Sequence, residues 1–135
     1  MPNLEMTLFE IVALYVAINI LILFTLTFLV IRQRRQQSIS MGHKDSESMQ
    51  RAIRVHGNFT EYAPLAMIGL LMMASLGATP AWLHGVGIAF TLGRLMHAFG
   101  YSKATGKSIG RFYGMLITGL SLVTIAVYLL VKVFT

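Results

Sequence analysis

The sequence predicts an all-α integral membrane protein, a bundle of four transmembrane helices running up-down-up-down. Two observations carry that prediction. Four apolar segments, each near the roughly 20 residues that a bilayer core requires, occupy most of the 135-residue chain. Hydrophobic residues make up 56% of it and charged residues only 12%, about half of the ~25% usual in a soluble domain. A chain this short cannot hide so much apolar side chain in its own interior, so the surplus must face lipid. The length allows one domain, 1–135.

The expected spans are 9–31, 60–77, 81–102 and 112–132. The first is rich in Leu, Ile, Val and Phe and stops at Arg32-Gln33-Arg34-Arg35, because consecutive polar residues cannot remain in hydrocarbon. Glu5 and Glu10 stand ahead of its uncharged run, Ile11 to Ile31, where a cleaved signal would carry Lys or Arg, so it reads as a retained span. Residues 32–50 read as a polar loop. Within it, Lys44-Asp45-Ser46-Glu47-Ser48 supplies N-cap candidates, which starts helix two near residue 46, outside the membrane. Pro64 should bend this helix by removing a backbone hydrogen bond. The short stretch Gly77-Ala78-Thr79-Pro80 leaves room only for an antiparallel hairpin. The third span opens with Trp82 at interfacial depth. Lys103 to Arg111 forms a second basic loop, with Gly106 and Gly110 as breakers. In the fourth span Gly114 and Gly119 should allow close helix contact.

The net charge of +6 is concentrated beside the apolar runs. Arg32, Arg34, Arg35, Lys44, Arg51, Arg54, Lys103, Lys107 and Arg111 all fall on one side, against Lys132 on the other. The positive-inside rule then places both basic loops in the cytoplasm and both termini outside. These residues are not interleaved with exposed aromatics, so no nucleic acid partner is expected. There is no cysteine, which excludes disulfides, thiolate metal sites and a cysteine nucleophile. His43, His56 and His84 have no metal-ligand spacing, and no metal site is expected.

The informative polar residues begin helix two. At about 100° per residue, Arg51, Arg54, Asn58, Glu61 and Tyr62 share about 100° of one face, while His56 lies about 160° from Arg54. In helix three, Arg94, His97 and Tyr101 form a similar stripe, with Arg94 deepest. The two stripes should meet at one membrane depth and form a basic pocket with a single acid. Their alternative use is structural, as an Arg54–Glu61 or Arg94–Glu61 ion pair, while the outer cations snorkel to headgroups.

The run Arg51-Ala-Ile-Arg54-Val-His56-Gly-Asn58-Phe-Thr-Glu61-Tyr62-Ala-Pro64, together with Gly93-Arg94-Leu95-Met96-His97-Ala98-Phe99-Gly100-Tyr101, resembles the MAPEG family, the membrane-associated proteins in eicosanoid and glutathione metabolism. The likeness is greatest to small bacterial members of unassigned role, which implies a bacterial inner membrane. It further implies a homotrimer with glutathione bound between neighbouring subunits near the cytoplasmic side. Carried over by position, Arg54, Asn58, Glu61 and Tyr62 would hold the peptide part of glutathione, with Arg51, Arg94, His97 and Tyr101 contributing. The sequence departs from the glutathione-conjugating members in two places. His97 stands where they tend to have tyrosine, and Ser108 where they have the arginine that stabilises the thiolate. Arg111, Arg94 and Lys107 are the cations left for that task, and Arg111 is the expected catalytic one.

The function expected from this resemblance is a glutathione S-transferase-like enzyme conjugating apolar electrophiles drawn from the bilayer. The alternative is a non-enzymatic membrane protein binding a lipid or thiol ligand. A four-helix multidrug exporter is a third possibility, but it needs a carboxylate near the midplane, and Glu10 and Glu61 lie near the ends of their spans.

Overall fold

A computed structural model describes residues 5–103 and 108–135. Four α-helices form it: α1 Leu8–Gln37, α2 Glu47–Ser75, α3 Pro80–Lys103 and α4 Ile109–Phe134. Each begins at a local signal. Thr7 caps α1 in a capping box, its hydroxyl accepting from the Glu10 N–H while the Glu10 carboxylate accepts from the Thr7 N–H. Ser46 caps α2 by accepting from the Met49 N–H, at the expected place. Ser108 caps α4 by accepting from the Arg111 N–H. Helix α2 continues through Pro64.

The turn between α2 and α3 has a complete physical account. Gly77 adopts a left-handed φ of 76°. Its N–H donates to the Ala74 carbonyl and the Ala78 N–H donates to that of Met73, which is the Schellman pattern for ending a helix. Pro80 then occupies the first position of α3, where its missing N–H costs nothing.

Two expected boundaries move. Helix α1 persists to Gln37, well into the segment read as loop. Its 30 residues give about 45 Å of length, more than the roughly 30 Å that a helix needs to cross hydrocarbon. The loop that follows is tied down by the Arg34 guanidinium, which donates to the carbonyls of Ser40 and Gly42 at 3.3 Å each. Gly110 is not a breaker but lies in the first turn of α4, packed against Gly100. Gly106 and Lys107 lie outside the described residues.

Helices α1 and α4 do not touch among the described residues, whereas α2 and α3 contact each other and both of the flanking helices. This arrangement explains the composition. The two flanking helices, α1 and α4, are long and apolar enough to cross a membrane, and they present Phe24, Phe28, Leu120 and Val123 outward. The central helices do not meet that criterion among the described residues, and they carry the polar interior. The core is built from Ile11, Val12 and Tyr15 of α1, Phe59, Ala66, Leu70 and Met73 of α2, and Leu83 and Phe90 of α3.

The α3–α4 seam is the most extensive helix pair and rests on four glycines. A methyl group at Gly93 would crowd Gly114 and Thr118. One at Gly100 would overlap the backbone of Gly110 and Arg111, and one at Gly114 would overlap that of His97. The backbones therefore approach more closely than side chains permit. Gly119 has open space where a methyl would go, so of the two α4 glycines singled out by sequence only Gly114 makes the close contact.

Candidate functional site

The centre of the bundle holds a charge. Arg94 is 1% exposed, a position where an ionised side chain is costly unless it is fully engaged. Its Nη2 donates to Asn58 Oδ1 at 2.5 Å and lies 3.3 Å from His97 Nδ1. Its Nη1 donates to Thr118 Oγ1 at 3.4 Å and approaches Met115 Sδ at 3.7 Å. The guanidinium also lies over the rings of Tyr62 and Phe59, at 5.5 and 5.9 Å from their centroids. One cation thus joins α2, α3 and α4. The close approach allowed by Gly93 and Gly114 brings Thr118 into its reach. Nε of Arg94 has no partner among the described residues.

From this buried centre a file of groups runs along α3. His97 is buried beside Arg94, its ring 5.7 Å from that of Tyr101. Arg111, from the first turn of α4, lies over the Tyr101 ring at 4.8 Å. Arg111 has no carboxylate within ion-pair distance among the described residues, where the ion pairs are Arg51–Glu47 and Arg54–Glu61. Among the described residues its charge therefore has no opposite charge paired to it.

The helix-two stripe divides. Asn58 turns inward to Arg94 and Tyr62 is half-buried beside it. Arg54 and Glu61 stay on the exposed edge, 3.7 Å apart. The ion pair of the two alternatives is thus Arg54–Glu61, and Arg94 takes the neutral amide of Asn58 instead of Glu61. Arg51 is separated from the group and lines a different cleft, against α1 and α3. His56 faces α1, its Nε2 3.1 Å from Thr27 Oγ1, on the side away from Arg54.

Sequence reasoning missed a polar seam between α1 and α3. Asn19 is buried and donates to Thr91 Oγ1 at 3.0 Å, and Tyr15 OH lies 2.8 Å from His84 Nδ1. His84, a lone histidine in the sequence, thus anchors a buried tyrosine. It also missed Met115 and Thr118 as partners of Arg94. Among the described residues no group of three or more His, Cys, Asp or Glu is placed to hold a metal ion.

Comparison with known proteins places the chain. Inner membrane protein YecN of Escherichia coli K12 is 39% identical to it over 89 residues, covering 66% of this chain and 68% of YecN. YecN of Escherichia coli O6:H1 strain CFT073 matches to the same extent. The sequence profile of the MAPEG family matches residues 12–131, a region that includes every residue of the Arg94 network. The protein belongs to the MAPEG family.

Proposed function

We propose that this protein binds glutathione and acts as a glutathione S-transferase-like enzyme on apolar electrophiles that reach it through the bilayer. The observation that carries the proposal is the file Arg94–His97–Tyr101–Arg111, which ends in a cation with no carboxylate partner among the described residues. The donor set suits glutathione, which has two carboxylates, one ammonium and a thiol. Arg54 and Glu61, exposed and 3.7 Å apart, offer one group of each sign to the peptide part. Asn58 and Tyr62 adjoin Arg94, whose charge adds to the attraction for an anion. The absence of cysteine fits, since bound glutathione would supply the nucleophilic sulfur. In this reading Arg111 holds the thiolate form, because a free thiol has a pKa of about 8.5 that an adjacent cation lowers. Tyr101 keeps the guanidinium in place by stacking beneath it, and His97 spaces Tyr101 from Arg94.

The binding experiment compares two neighbours in sequence that face apart. Arg54→Ala should weaken glutathione binding about tenfold or more in calorimetry, from loss of a charge-assisted hydrogen bond worth roughly 1.5–3 kcal/mol. His56→Ala, which loses only the contact to Thr27, should leave affinity unchanged. Equal effects would show that the exposed edge of α2 is not the binding face.

The catalytic test is Arg111→Ala. The ultraviolet thiolate absorbance of the bound ligand should then appear only at higher pH, approaching that of a free thiol. Turnover with an apolar electrophile should fall with the thiolate fraction, by up to about tenfold for each unit that the pKa rises, with affinity nearly kept, because the interaction is made mainly with ionised sulfur. The non-enzymatic reading, a protein that holds a lipid or thiol ligand without turnover, draws on Ser108, whose hydroxyl is used to cap α4. Wild-type protein that binds glutathione yet shows no thiolate near neutral pH would establish it.

The architecture we infer for this function is a homotrimer of four-span, up-down-up-down subunits in a bacterial inner membrane. Both termini lie outside and the basic loops face the cytoplasm. Support comes from the family, from the charge asymmetry, and from an exposed apolar groove lined by Leu65, Ile68 and Met72 of α2 with Leu122, Val123 and Leu129 of α4, which a neighbouring subunit can cover. Single cysteines at Ser40 and Thr135 should react with impermeant reagents from opposite sides of the membrane, and native mass spectra should show trimers. Labelling from one side, or monomers and dimers alone, would refute this architecture.

A further inference from the structure

At the opposite end of the bundle from Arg111, the start of α3 and the end of α4 bring three side chains together. The rings of Trp82 and Tyr128 have centroids 6.0 Å apart at an angle of 53°. The Lys132 ammonium lies over the Tyr128 ring, 5.9 Å from its centroid. Trp82 is 50% exposed, Tyr128 is half-buried and Lys132 is exposed. Two helices thus hold the cluster, yet it stays open to whatever surrounds them.

The chemistry of the cluster is one-sided. An indole donates one N–H and accepts nothing, and an ammonium donates three. The ion pairs among the described residues belong to Arg51 and Arg54, so Lys132 has no carboxylate there. Glu10 belongs to α1, which does not touch α4 among the described residues, and its carboxylate is engaged by Thr7. The surroundings are set by sequence. Phe112 to Val131 is uncharged, and Lys132 is the first charge after it. Tryptophan and tyrosine favour the headgroup level of a bilayer, where lipid phosphates lie. Toward the bilayer centre there is room for acyl chains. Gly85, one turn along α3 from Trp82, has open space where a methyl would go, and Val123 and Val127 of α4 are exposed.

The second group of the lipid headgroup decides which phospholipid fits. A zwitterionic headgroup would bring an ammonium or a choline against Lys132, with no acid to receive it. A glycerol headgroup keeps the net negative charge and adds hydroxyls that can accept from the indole N–H. We infer that Trp82, Tyr128 and Lys132 form a site for an anionic phospholipid of the phosphatidylglycerol type, its phosphate at the Lys132 ammonium and its chains beside Gly85 and Val127. The site lies apart from the Arg94 network and does not depend on the glutathione reading.

Trp82 is the single tryptophan of the chain, so its fluorescence reports on this place alone. The full-length protein is reconstituted in vesicles of phosphatidylglycerol and phosphatidylcholine in equal amounts, with bromine in the upper acyl chains of one lipid or the other. Brominated phosphatidylglycerol should quench Trp82 more strongly, with a relative binding constant of about five, the effect of one cation at an anionic surface. Lys132→Gln should bring that ratio close to one, while Lys132→Arg should keep it. Arg35→Gln, which removes a cation from the far end of the bundle, should leave it unchanged. Glycerol phosphate in the buffer should not compete, since it lacks the chains. Equal quenching by the two lipids, or a preference that survives Lys132→Gln, would overturn the proposal. Stronger quenching by phosphatidylcholine would overturn it and assign the aromatic pair to choline. Loss of the preference in glycerol phosphate would overturn it in favour of a soluble phosphate ester.

Discussion

Gly114→Ala should cost about 1–3 kcal/mol of stability, whereas Gly119→Ala, the same change on the same helix, should be neutral or slightly stabilising. The added methyl at Gly114 would overlap the backbone nitrogen of His97. Backbone cannot rotate aside as a flexible side chain can, so α3 and α4 must separate. At Gly119 nothing lies within 4 Å of the new methyl, and alanine is the better helix former by about 1 kcal/mol. The seam at Gly114 also sets the reach from Arg94 to Thr118 and from Arg111 to Tyr101, so Gly114→Ala should weaken glutathione binding together with stability. Unfolding by titration with sodium dodecyl sulfate, followed by circular dichroism, measures the first effect and calorimetry the second. Equal stability of the two variants would mean that α3 and α4 are not packed backbone to backbone.

Much of the helical framework is legible in the sequence because capping and turn chemistry are local rules. The start of α2 at Ser46, the turn at Gly77 and the far-side placement of His56 all follow from spacing and residue type. What spacing does not give is the partner. Asn58 and Glu61 differ by about 60° around α2, which is enough to turn one toward α3 and leave the other at the edge with Arg54. A projection of the helix alone cannot say which of them meets Arg94. The same limit hid Asn19 and Thr91, which are single polar residues in apolar helices until the two faces are brought together. The glycines were visible, but a helical glycine permits close approach without naming what approaches. Gly114 and Gly119 are alike in sequence and opposite in the bundle.

The pairing of Arg94 with Asn58 leads to the largest expected loss. Asn58→Leu should destabilise the protein by about 3–5 kcal/mol, because it removes the shortest hydrogen bond of a buried guanidinium and leaves the charge in place. Arg94→Met removes the charge itself and leaves a neutral amide unsatisfied, which costs less, about 1–3 kcal/mol. The double variant Asn58→Leu/Arg94→Met replaces both groups with apolar ones of similar length. It should be more stable than Asn58→Leu alone, since a buried polar pair exchanged as a unit for hydrophobic side chains is often nearly neutral. All three should bind glutathione poorly, so stability and binding part company in the double variant: near-native unfolding with the ligand lost. That divergence is the signature of a charge retained for function at a cost in stability. If the double variant unfolds as readily as Asn58→Leu, the network instead holds the three helices together, and Arg94 is a structural residue. If it is stable and still binds glutathione normally, Arg94 lies outside the ligand site, and the site must be built from Arg54, Glu61 and Arg111 alone.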